Sequence, residues 1–191
     1  MGINLSILRN FIGGNVLLSQ GGLFIKNLNK SLGKWTSLII NGVQFIFILI
    51  GLFYVVNQMG KRPLFLISVA VLSISCLALT VAMIYQDILG SMLVMCFYMA
   101  IYGSMFISPI WAYPYVVVPT AETLGVNMAQ WLSLSVSLLV PPIVSGIMPD
   151  NNPYPVFFFF AAYGFVSFIH IYSTLKESDG KSYDEIIQSY T

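Results

Sequence analysis

Five stretches of this chain, 36–57, 63–85, 88–113, 124–147 and 153–175, contain no Asp, Glu, Lys or Arg at all. A bilayer core about 30 Å thick is crossed by roughly 20 apolar residues in a helix, and each stretch meets that length. A weaker stretch precedes them at about 5–25, interrupted by Arg9, Asn10, Asn15 and Gln20. The apolar residues are continuous and do not alternate with polar ones, which excludes the strands of a membrane barrel. The expected fold is therefore an all-α integral membrane domain of six transmembrane helices over residues 1–175, followed by a polar tail at 176–191.

Composition agrees. Hydrophobic residues make up 58% of the 191 and charged residues only 8%, where soluble domains carry about 25%. Lipid is the solvent that tolerates such a surface. A net charge of +1 points to neither nucleic acid nor an acidic substrate. Cys76 and Cys96 both fall inside apolar runs and read as buried side chains, with no disulfide framework. The sequence shows no metal-ligand cluster, nucleophile triad or phosphate loop, so neither an enzyme nor a bound cofactor is expected. Residues 1–9 lack the pattern of a cleavable signal, and an uncleaved first helix can direct insertion by itself.

The polar breaks are short: Lys26 to Lys34, Asn57 to Arg62, Gln86-Asp87, Pro119 to Thr123 and Met148 to Asn152. Short links make neighbouring helices antiparallel, and six helices then leave both termini on one side. That side carries Arg9, Lys61, Arg62, Lys176 and Lys181, against Lys26, Lys30 and Lys34 on the other. Basic loops stay inside. The termini are thus expected in the cytosol, or in the matrix if the membrane is the mitochondrial inner one; plasma membrane and mitochondrial inner membrane both stay open. Asn4-Leu5-Ser6 and Asn29-Lys30-Ser31 match the N-glycosylation pattern. In the tail, Ser182-Tyr183-Asp184-Glu185 before Ile186-Ile187 reads either as a capped amphipathic turn or as a frayed end.

Three stretches carry a family resemblance. Asn57-Gln58-Met59-Gly60-Lys61-Arg62-Pro63-Leu64 resembles the D-x-x-G-R-R-P-L loop between the second and third helices of each half of a major facilitator transporter. Gly60 permits a tight turn, Lys61 and Arg62 sit among headgroups, and Pro63 is expected at the first helical position. Lys176-Glu177-Ser178-Asp179-Gly180-Lys181-Ser182-Tyr183-Asp184-Glu185-Ile186 resembles P-E-T-K-G-K-S-L-E-E-I, the segment after the last helix of sugar porters. Pro109-Ile110-Trp111 with Pro119, and then Gln130-Trp131 with Pro141-Pro142, resemble the fourth and fifth helices of the half. Gly13-Gly14-Asn15 and Asn41 fit its first and second helices. The chain is similar to the C-terminal half of the sugar-porter branch throughout.

That resemblance implies a site in which amides bind sugar hydroxyls, and it carries Asn15, Asn41, Trp111 and Trp131 over as substrate-binding candidates. It carries Gly60, Lys61, Arg62, Glu177, Gly180 and Lys181 over as conformational motif residues. The departures are concentrated at the site. The family's first helix reads Q-Q-x-x-G-x-N-x-x-x-Y-Y, but this chain has Arg9-Asn10 for the glutamines and Ser19-Gln20 for the tyrosines. A hexose site satisfies many hydroxyls with neutral donors and acceptors in a dry cavity. A fixed charge in place of an amide, and the loss of two aromatic faces, remove that chemistry. Gating acids are missing too: Asn57 replaces the loop aspartate and Val116 the glutamate five residues past Trp111.

Other intramembrane polar residues admit two readings each. Asn41 and Gln44 share a helical face, either lining a cavity or bonding a neighbouring helix. His170 is either a proton relay or an interfacial residue packed among aromatics and headgroups. The expected function is a sugar-porter-like half-transporter acting as a non-transporting accessory or scaffold subunit of a membrane complex, for which a respiratory or ATP-synthase assembly of the mitochondrial inner membrane is one setting. Other membrane subunits would cover the face left by the absent half. The alternative is a working solute carrier, sugar-like in substrate, assembled from two halves.

Overall fold

The computed structural model describes residues 11–55, 60–107, 143, 146 and 154–174. Five α-helices lie among them: α1 (Gly14–Leu28), α2 (Lys30–Ile50), α3 (Lys61–Ile84), α4 (Ile88–Ile101) and α5 (Tyr154–Thr174). A π-helical turn extends α2 over Gly51–Val55, and a second extends α4 over Tyr102–Ile107. Four stretches are long and apolar enough to cross a membrane: Lys30–Phe53, Arg62–Ile84, Ile88–Ile107 and Tyr154–Thr174. The expected span at 124–147 lies outside the described residues except for 143 and 146, as do residues 5–10 of the first span and 108–113 of the fourth.

The helix ends follow local chemistry. The wide polar break expected between Lys26 and Lys34 shrinks to a single residue, Asn29. Its side-chain oxygen accepts from the Ser31 and Leu32 amides, at 3.1 and 3.4 Å, and from the Ser31 hydroxyl at 2.8 Å. Its own N–H donates back to Ile25 at 2.7 Å. One residue thus closes α1 and opens α2, which lets both helices run into the polar segment. Asp87 caps α4 in the same way, accepting from the Gly90 amide at 3.1 Å. Pro63 falls at the third helical position instead of the first. The helix starts at Lys61, and its first backbone bond runs from Leu64 N–H to the Gly60 carbonyl, so the proline still forfeits nothing.

The helices pack closely where small residues meet. α1 and α2 form a tight hairpin at Gly22 and Gly33: a β-carbon on either would come within 2.8 Å of the other's carbonyl oxygen. α3 and α5 pair with Gly164 against the Ser73 side chain. The two π turns touch, because Gly51 lies directly on the Ser104 backbone and Gly103 on the Gln44 carbonyl. Between membrane helices, dispersion contact of this kind replaces the hydrophobic drive that water supplies elsewhere.

The centre of the bundle is aromatic. Tyr98, Tyr102 and Phe106 are fully buried and stack in sequence at 6.1 and 5.3 Å between ring centroids. Phe65 of α3 extends the stack at 5.3 Å. Buried hydroxyls on α3 are satisfied within the helix: Ser68, Ser73, Ser75 and Thr80 donate to carbonyls three or four residues back, at 2.7 to 2.8 Å. Phe97, Phe158, Val166 and Ile169 face outward, as lipid-facing side chains do. Both cysteines are free, Cys76 buried and Cys96 half-buried.

Candidate functional site

The first helix is not continuous. Gly13 adopts φ 96°, ψ −4°, a left-handed conformation, and α1 begins only at Gly14. Glycine takes that geometry without steric cost. With 15 residues, α1 is too short to cross a bilayer by itself. The interruption is fixed by aromatics from two other helices. The Phe160 ring of α5 lies against Gly13, leaving a β-carbon there only 2.6 Å from it, and the Tyr102 ring of α4 lies against Gly14. The Tyr98 hydroxyl donates to the Ile12 carbonyl at 2.6 Å. The first bond of the restarted helix is Leu17 N–H to Gly13 O, 3.0 Å. Irregular backbone at this depth is tolerated where neighbouring helices satisfy its polar groups, and Tyr98 does so for Ile12.

Of the candidate substrate residues, Asn15 lies just past this break. Asn15 is half-buried in the first turn of α1. One turn on, the exposed Ser19 donates its hydroxyl to the Asn15 carbonyl at 2.9 Å. Asn41 is exposed on α2, and its Nδ2 donates to the Ser37 carbonyl of the same helix at 2.7 Å. Gln44, one turn deeper, is half-buried, with Gly103 of α4 packed against its carbonyl. Neither of the two readings of Asn41 anticipated a bond within its own helix. His170 is exposed on α5, with its carbonyl accepting from the Ser173 and Thr174 hydroxyls at 2.8 and 2.7 Å.

Arg62 of the loop motif contacts α5. Gly60 caps α3, Lys61 opens it and Arg62 reaches across the seam. Arg62 Nη2 donates to the Tyr172 carbonyl at 3.1 Å, and the guanidinium stands 5.8 Å from the Tyr172 ring centroid. Tyr172 in turn stacks on Phe168 at 6.4 Å. A cation near the end of α5 also meets the negative pole of that helix. Arg62 Nε is buried and has no hydrogen-bond partner.

Trp111, Trp131, Glu177, Gly180 and Lys181 lie outside the described residues, as do Arg9, Asn10, Asn57 and Val116. Among the described residues no group of His, Cys, Asp or Glu could hold a metal ion. Sequence reasoning missed Tyr98, Tyr102 and Tyr172. The spacing of Tyr98, Tyr102 and Phe106, four residues apart on one helical face, was an available signal for the first two. Tyr172 contributes a backbone carbonyl, which leaves no mark in a sequence.

The fold is that of solved sugar symporters. The proton:xylose symporter XylE of the major facilitator superfamily, solved with 6-bromo-6-deoxy-D-glucose bound, superposes with a TM-score of 0.82 at 22% identity. A double-Trp XylE mutant superposes with a TM-score of 0.84 at 20% identity. Each match covers 100% of this chain, which spans only 42% of the symporter. At such identities the likeness is one of fold. No curated protein matches the chain. The family model described as "Sugar (and other) transporter" matches residues 1–190, and the chain, an integral membrane protein of all-α architecture, belongs to that family.

Proposed function

We propose that the chain forms the C-terminal half-transporter of a sugar-porter-type scaffold that no longer recognises hexoses, and that it serves as a non-transporting accessory subunit of a larger membrane assembly. The observation that carries this reading is the state of the polar groups on α1 and α2. Ser19 stands where the family resemblance calls for tyrosine, and its hydroxyl is engaged by the Asn15 carbonyl. The Asn41 amide is engaged by Ser37. A pyranose needs several side-chain donors and acceptors held ready for its hydroxyls, and these are bonded within their own helices.

A second reading, a working carrier formed with another six-helix half, is favoured by the break at Gly13. Discontinuous helices build substrate sites in transporters. Native-state purification, followed by xylose and glucose counterflow in proteoliposomes, separates the two. The accessory reading expects recovery in a large assembly and no counterflow of either sugar, with fractionation testing the mitochondrial inner membrane first. Saturable counterflow would overturn it in favour of the carrier.

A further inference from the structure

The α1–α2 hairpin gathers positive charge on a rigid corner of the bundle. Lys26 is exposed in the last turn of α1 and Lys30 in the first turn of α2, with Asn29 alone between the helices. Lys34 follows Lys30 by one turn on α2. The corner is held by backbone contact. A β-carbon on Gly33 would meet the Lys26 Cα at 2.7 Å, so the two helix ends approach to the limit that glycine permits. The Asn29 cap leaves the hairpin little freedom to splay. Neither α1, α2 nor the link contains an acidic residue. α3 runs back to the same end of the bundle, where Asp87 opens α4 and accepts from the Gly90 amide at 3.1 Å, the one acidic side chain described there. Trp35, 63% exposed, follows on α2 about 140° around the helix from Lys30. Indole at that level marks the boundary between headgroups and hydrocarbon.

We propose that this corner is a docking site for an anionic phospholipid headgroup in the leaflet at that end, with Lys26 and Lys30 paired to the phosphate. Two features select a lipid as the occupant. The charges stand at the membrane boundary, and their lysine stems can lie along apolar surface while the ammonium reaches the headgroup. An interfacial lysine adds about fivefold to the preference for anionic over neutral lipid.

The test uses the full chain in nanodiscs of phosphatidylcholine, with and without added phosphatidylglycerol, read by melting temperature and by native mass spectrometry of retained lipid. Phosphatidylglycerol is expected to raise the melting temperature of the wild type and to be retained, and added salt should abolish the rise. Lys26→Gln/Lys30→Gln should weaken its preference by about thirtyfold and lose most of the rise, while Lys26→Arg/Lys30→Arg keeps both. If the glutamine pair melts early even in phosphatidylcholine, the arginine pair and the salt dependence still decide the matter. Equal retention by the glutamine pair, loss in the arginine pair, or the same rise produced by inorganic phosphate in phosphatidylcholine discs would each overturn the proposal.

Discussion

The Tyr98 hydroxyl of α4 donates a 2.6 Å hydrogen bond to the carbonyl of Ile12, the residue just before the left-handed Gly13 at the interruption of the first helix. Both ends of this bond lie in the bundle core, Tyr98 fully buried and Ile12 nearly so. It joins positions 86 residues apart and gives a carbonyl near the break a partner.

Tyr98→Phe keeps the ring stack and removes only that donor. Leaving a buried carbonyl unsatisfied costs about 1–3 kcal/mol. The variant should therefore melt several degrees lower in detergent, with increased hydrogen exchange confined to the residues around Gly13. An unchanged melting temperature would show that the hydroxyl is dispensable.

Gly51 and Gly42 sit on the same helix run but in opposite surroundings. A β-carbon at Gly51 would collide with the Ser104 backbone, whereas at Gly42 it meets nothing within 4 Å. Gly51→Ala forces two backbones apart and should destabilise by about 1–3 kcal/mol. Gly42→Ala should be neutral or stabilise by up to about 1 kcal/mol through helix propensity. Thermal melts of the two variants side by side make the comparison.

Asn29 closes one helix and opens the next, so Asn29→Ala should cost about 1 kcal/mol while Asn29→Asp keeps the cap. The Asn29-Lys30-Ser31 sequence is locked into that turn, with the Ser31 hydroxyl bonded to Asn29. A glycan there would have to stand in the headgroup layer on a one-residue link. Treatment with an N-glycosidase should leave the gel mobility of the Asn4→Gln protein unchanged.

Arg62 clasps α3 to α5 through one geometry-specific bond and one ring contact. Arg62→Lys keeps the charge but loses the planar fork and the stacking face. It should retain less than half of the stabilisation lost in Arg62→Ala, which is expected to be about 1–2 kcal/mol. Tyr172→Leu, which keeps the carbonyl, should fall between wild type and Arg62→Ala in a chemical denaturation series.

Much of the fold was legible in the residues. The charge-free runs marked an all-α membrane protein, because length and apolarity are properties of consecutive residues. α2 begins at Lys30, inside the segment between Lys26 and Lys34 that reads as loop when hydropathy alone is weighed. The exposure of Lys30 at the end of the bundle lets a helix carry it. The break at Gly13 was not legible either. Its glycine pair was visible, but the geometry depends on Phe160 and Tyr102 lying against it from other helices.

The sequence by itself determined that this protein lives in a membrane, that it is helical, and, through Gly60-Lys61-Arg62 and Gly180-Lys181-Ser182, which family shaped it. Each of these rests on local composition or on a contiguous motif. Only the tertiary structure decided what the polar side chains do. Whether Arg62 meets lipid or α5, and what completes the Ile12 carbonyl, are set by positions up to 110 residues away. A hydrogen bond is fixed by distance and angle in space, and chain order records neither.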